Sequence, residues 1–236
     1  MVGRLVVMVL LAGALAGCSD VAENLADTPS ASTPSATPEA TVKPSAKPVP
    51  STSVPSTPVP TSPRVPVGTA VEMGIPAIGV SGLGVVAYTG TADDRPGTDV
   101  QDRGVAASPR GPKGGVGPGD VGNFIVTAHR TTHGRPFGRV PELQNGDHIL
   151  VTAGGFVYDY QVVQTMTISF RQPAEIAQQN AAVPGRLGVV PTRAMITLST
   201  CRTPEDHAEG NFWKDELNNP EHRINKIGVL VATRPA

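Results

Sequence analysis

The chain has 236 residues, a formal net charge of −1, and 39% hydrophobic but only 4% aromatic residues. Near-neutral charge with no basic stripe excludes a nucleic-acid surface built on electrostatics, and two cysteines exclude a disulfide framework unless they pair with each other. With aromatics this scarce, a core has to be assembled mainly from Val, Ile, Leu and Ala.

Residues 1–18 read as an export signal: Arg4 supplies the positive start, Leu5 to Leu15 the apolar run, and Ala16 and Gly17 the small residues before a cut. The run is about a dozen residues, short of the roughly 20 that span a bilayer. Leu15-Ala16-Gly17-Cys18 resembles the lipobox of bacterial lipoproteins, which implies an acylated Cys18 and a lipid anchor at the extracellular face of the membrane. A plain secretory signal with an incidental Cys18 is the alternative. Either way the protein is exported, and an acylated Cys18 leaves Cys201 as a free thiol outside the cell.

Residues 19–66 form a linker, and from Asp27 onward it is almost entirely Pro, Ser, Thr, Ala and Val, broken by Glu39, Lys43, Lys47 and Arg64. Such a composition cannot bury enough apolar surface to offset its ordering entropy, so a disordered tether is expected. At about 3.1 Å per residue in polyproline II it would reach on the order of 100 Å. An O-glycosylated stalk fits the same composition.

Residues 67–236 have the size of a single domain and show no internal repeat. The predicted strands, in order, are "VEMGIPAIGV", "GLGVVAYTG", "NFIVTAH", "HILVTAG", "FVYDYQVVQTMTI", "AMITLSTC" and "IGVLVAT". Gly154-Gly155 signals a two-residue hairpin. "QPAEIAQQNAAV" is the one predicted helix, bracketed by Pro173 and Pro184. Many short strands with Gly/Pro turns point to an all-β barrel or sandwich.

Several stretches carry chemistry. "GPGDVG", Gly117 to Gly122, spells a dinucleotide-binding fingerprint but leads into a strand instead of opening a helix, so it reads as a turn. In "NFIVTAH", Phe124, Val126 and Ala128 share one face, and Thr127 and His129 the other. His129 and His133 have an HxxxH spacing, yet a zinc-protease site needs a helix and a Glu after the first His. Arg130 stands at that position, and Gly134, Pro136 and Gly138 oppose a helix, so no metal and no cofactor is expected.

In "MITLSTC", Ile196, Leu198 and Thr200 face one side, while Met195, Thr197, Ser199 and Cys201 face the other. Residue by residue, Cys201 is either a small packing residue or a nucleophile; a nucleophile needs a neighbour that generates the thiolate and donors for an oxyanion. Arg223, at the start of the last strand, is either such a donor or an edge-strand charge.

Together these stretches resemble the sortases. The TLxTC signature stands as Thr197-Leu198-Ser199-Thr200-Cys201, the histidine strand as "PGDVGNFIVTAHRTTHGRPFGRVPELQNGD", and the last-strand arginine as Arg223. The HRTT-x-G-x-PF pattern is most similar to the class E enzymes of actinobacteria, which commonly carry Tyr where this chain has His133.

The resemblance spans most of Gly74 to Ala232 and implies an eight-stranded closed β-barrel with one or two short helices. It also implies a cysteine transpeptidase with catalytic Cys201, His129 and Arg223, and with Thr200 and His133 near the substrate. Such an enzyme cleaves an LAxTG- or LPxTG-like sorting signal between Thr and Gly through a thioester. It passes the acyl group to an amine of peptidoglycan or of another surface protein, such as a pilin.

Two features depart from the family pattern. "EDHAEGNFWKDELNNP" lengthens the loop between the last two strands, where it either shapes the substrate groove as a lid or forms a satellite core around Phe212 and Trp213. A lipid anchor replaces the family's common transmembrane helix. The alternatives are an inactive lipoprotein using the barrel as a binding module, and an L,D-transpeptidase-like acyl transferase, whose S-[HR]-G-C context Ser199-Thr200-Cys201 does not supply.

Overall fold

The computed structural model describes Pro63, Val65, Pro66 and residues 68–236. The expected signal peptide, the lipobox Cys18 and nearly all of the expected tether lie outside the described residues. Contact with the barrel is made as early as Pro63, whose carbonyl accepts a hydrogen bond from the Tyr158 hydroxyl at 2.7 Å. Among the described residues no helix is long and apolar enough to cross a membrane.

Eight strands close into a barrel: β1 (Val71–Ile75), β2 (Val80–Thr89), β3 (Ala106–Arg110), β4 (Gly122–Thr127), β5 (His148–Ala153), β6 (Phe156–Ser169), β7 (Ala194–Cys201) and β8 (His222–Pro235). Around the barrel they run β1-β2-β3-β4-β7-β8-β6-β5, and β5 pairs back onto β1. The β2/β3 and β4/β7 pairs are parallel and the others antiparallel. Closure leaves no long sheet edge to seed aggregation.

Alternation places the core where the sequence put it. Phe124, Val126 and Ala128 of the histidine segment meet Ile196 and Leu198 of β7 inside the barrel, with Met73, Ile75, Ile149, Val151, Tyr158 and Tyr160. The tyrosines are the awkward members, since a buried hydroxyl needs a partner. Tyr160 receives a hydrogen bond from the Gly119 N–H at 2.7 Å, in the turn spelled by "GPGDVG". That turn is closed by Gly117 N–H on the Asp120 carboxylate, and β4 follows at once. At the β5/β6 hairpin Gly154 and Gly155 have φ of 59° and 80°, the left-handed pair such a two-residue turn requires.

The helices differ from expectation. "QPAEIAQQNAAV" does form one, α2 (Pro173–Asn180), but two more are present: α1 (Arg95–Gln101) and α3 (Thr203–Ala208). Helix α1 lacks an apolar stripe. It is held by its cap, the Asp94 carboxylate accepting from Gly97 N–H at 2.9 Å, and by buried Val100 and Gln101. The first expected strand is broken by a 3-10 turn, Pro76–Ile78, ending on left-handed Gly79. Strand β3, "AASPR", has a proline and no β-branched residue, and was not anticipated.

Candidate functional site

The site grows out of two strand pairings. β4 and β7 run parallel in register, Thr127 opposite Ser199, and the Ala128 N–H donates to the Ser199 carbonyl at 3.3 Å. β4 ends at Thr127, and the chain continues through Ala128 to His129 at the same end of the barrel at which β7 ends in Cys201. On the other side β8 pairs antiparallel with β7 and puts Arg223 directly opposite Cys201. Opposed residues share a face, and that face is the one turned away from the core positions Val126, Ala128 and Leu198. Thiol and guanidinium are thereby set side by side on adjacent strands, with the imidazole carried by the segment that follows the neighbouring strand β4.

Arg223 and His129 have neighbours, Phe170 and Asp102 among them, that the sequence did not single out. Arg223 is fully buried, its guanidinium stacked 4.1 Å over the Phe170 ring, with Nη1 donating to the Pro220 and His222 carbonyls. Asp93 lies 3.6 Å from its Nε, an ion-pair distance too long for a hydrogen bond. Nε and Nη2 are therefore buried with no hydrogen-bond partner among the described residues. Asp93 itself has a φ of 62°, unusual for a residue with a side chain. The neighbouring Asp94 fixes the loop by accepting from both Thr91 N–H and Gly97 N–H.

His129 Nε2 lies 2.8 Å from an Asp102 carboxylate oxygen, and the His133 ring stacks on the His129 ring at 4.8 Å. His133 Nδ1 is 3.6 Å from the same Asp102 oxygen. The three donor atoms sit within 4.8 Å of one another, a set a divalent ion would also accept. The histidines lie on a non-helical segment, unlike an HxxxH zinc site, and the 2.8 Å contact makes this a hydrogen-bonded cluster as it stands.

Thr200 is buried and donates its hydroxyl to the Ala128 carbonyl at 2.9 Å, pinning the ends of β7 and β4 together. Arg130 tightens the same corner: it bonds the Cys201 carbonyl at 3.3 Å and pairs with Glu205 of α3 through both terminal nitrogens. The loop from α3 to β8 is organised by buried Asp206, which receives hydrogen bonds from Arg202 and from the His222 backbone. Phe212 in it is 65% exposed with its ring 4.8 Å from the His207 ring, and Trp213 is half-buried.

Cys201 is partly buried and has no disulfide partner among the described residues. Burial pushes its thiol above the ordinary cysteine value; Arg223 pulls it back, Asp93 and Asp215 add to the rise, and Arg130 opposes it. Burial lowers the Arg223 guanidinium, but Cys201, Asp93 and Asp215 outweigh this and hold it above its usual value. Asp93→Asn removes one of the groups that raise the thiol. Alkylation of Cys201 by iodoacetamide near pH 7.5 should then run faster than in the parent protein, and an unchanged or slower rate would refute this reading of the field at the sulfur.

A sortase-domain family model matches residues 73–213. Sortase SrtE1 of Streptomyces coelicolor is 33% identical over 85 residues, a stretch covering 36% of this chain and only 23% of that relative. Among solved structures, Sortase E1 of Streptomyces coelicolor with a tripeptide in its active site superposes with a TM-score of 0.53 at 26% identity, covering 71% of this chain and 90% of that one. The SrtA sortase of Actinomyces oris superposes with a TM-score of 0.56 at 22% identity over 75% of this chain and 89% of its own, a likeness of fold. The eight-stranded barrel, the matched domain and these relatives together place the chain in the sortase family of cysteine transpeptidases, with its similarity towards class E.

Proposed function

We propose that this protein cleaves a sorting signal of the LAxTG or LPxTG kind between Thr and Gly and transfers the acyl group to an amine. The observation that carries this reading is the pairing of Cys201 with Arg223 across β7 and β8, and the parallel pairing of β4 on β7 as far as Thr127 opposite Ser199, two residues before His129, supports His129 as the base.

In the reaction, the Cys201 proton passes to His129 and the thiolate attacks the threonine carbonyl. The oxyanion that forms is stabilised by the charge of the Arg223 guanidinium, whose Nε and Nη2 make no hydrogen bond among the described residues. Collapse breaks the C–N bond, His129 returns the proton to the departing glycine amine, and a thioester remains. An incoming amine then attacks the thioester carbonyl, gives its proton to His129 and releases the sulfur. Thr200 steadies the strand ends that carry nucleophile and base, and His133 borders the substrate beside His129.

The acceptor on this reading is a peptidoglycan cross-bridge amine or a lysine of another surface protein. On this reading a Cys18 lipid anchor would tether the barrel, through the linker, at the extracellular face of the cell membrane, where exported substrates emerge. The tripeptide held in the active site of Sortase E1 supports a peptide substrate for the same face. Incubation with a panel of LAxTG and LPxTG peptides and hydroxylamine should release the threonine hydroxamate. No hydroxamate from any peptide, with Cys201 alkylating at the slow rate of an ordinary buried thiol, would favour an inactive binding module instead.

A further inference from the structure

We propose that Asp102 is a positioning residue for His129, fixing the ring so that Nε2 carries the hydrogen and Nδ1 is the nitrogen that exchanges protons with sulfur and amine. The assignment of working nitrogens rests on the transpeptidase reading above, whereas the hydrogen-bond pattern rests on geometry alone. An imidazole has two nitrogens, and the partner of one decides the state of the other. Here Nε2 is 2.8 Å from the Asp102 carboxylate, an acceptor with no proton to give when ionised.

Asp102 is not a loose surface carboxylate. It follows directly on α1, and its own N–H donates to the Thr98 carbonyl at 2.9 Å. The preceding Val100 and Gln101 are buried against the barrel, and Gly104, with φ of 78°, turns the chain away. That turn packs tightly under the histidine loop: a Cβ on Gly104 would stand 3.3 Å from the His133 carbonyl.

His133 completes the grip. Its backbone is in the left-handed region at φ of 47°, its ring lies 4.8 Å from the His129 ring, and its Nδ1 leans on the same Asp102 oxygen at 3.6 Å. The His129 ring is thus held along one edge by a carboxylate and across one face by a second imidazole. His129 is 16% exposed and Asp102 43%. A pair so open adds little to folding. What it supplies is orientation, so its loss should show in turnover and leave stability nearly untouched.

The test uses the full chain with 15N-labelled histidine. In the resting protein the His129 signals should report the hydrogen on Nε2. In Asp102→Asn, whose amide presents donors to the ring, the population should move towards the hydrogen on Nδ1. With a peptide that the parent enzyme turns over, Asp102→Asn should lower kcat on the order of 10²-fold, within the range of general acid–base contributions. KM should change little, Asp102→Glu should restore part of the rate, and the thermal midpoint should stay put. A hydrogen on Nδ1 in the parent protein, a pattern unaltered by Asp102→Asn, or full turnover in that variant overturns the proposal. Should no peptide be cleaved, the sorting-signal reading fails while the nitrogen signals still decide whether Asp102 sets the ring.

Discussion

Cys201→Ala is expected to abolish hydroxamate release, with a loss on the order of 10⁴-fold or more, and to leave no acyl-enzyme adduct in the mass spectrum. Sulfur, ring and guanidinium act as one unit on this reading, so their losses should not add: Cys201→Ala combined with His129→Ala should be no slower than either alone. The barrel should survive the change. The Cys201 side chain lies on the outer face, away from the cluster of Phe124, Val126, Ala128, Ile196 and Leu198, and alanine there opens no cavity in that cluster. A Cys201→Ala protein that still forms hydroxamate would require a nucleophile other than this thiol.

The second large effect is expected at Arg223. Removing one preorganised oxyanion donor costs about 10²–10³ in rate, or ~3–4 kcal/mol of transition-state stabilisation. Arg223→Ala should lose that much or more, because the same guanidinium also draws down the Cys201 thiol. Two readouts separate these contributions. The pH dependence of Cys201 alkylation should move upward in Arg223→Ala, reporting the lost charge. Arg223→Lys retains the charge but lacks the planar fork over Phe170, so it should preserve the alkylation profile better than the rate. Activity equal to the parent in Arg223→Ala would remove the guanidinium from the mechanism, provided circular dichroism shows the barrel intact.

The thiol strand was legible because β7 alternates between Ile196 and Leu198 on one face and Thr197 and Ser199 on the other, and β4 and β8 because they are short runs rich in β-branched residues. "FIVTA" and "ITLSTC" announce both their conformation and the side on which the core lies. Their parallel register was not legible, since nothing within either segment says which residue of one stands opposite which residue of the other. Asp102 and Asp93 were hidden for a further reason. They flank a short helix, "RPGTDVQ", whose proline, glycine and absence of an apolar stripe look like loop. Asp94 followed by Pro96 was the available clue, a cap with proline in the first turn. Even so, the contact from Asp102 to His129 joins positions 27 residues apart and is made only once β2, β3 and β4 lie side by side.

The in-register run of β4 on β7 divides the chain by its tolerance of added length. One residue inserted within either strand reverses which side chains point outward beyond it, sending imidazole or sulfur into the oily interior. The same residue added near the exposed Phe212 tip leaves that alignment alone. Natural or engineered variation in substrate choice therefore has room in the rim segments, while the spacing along the two strands is fixed by geometry.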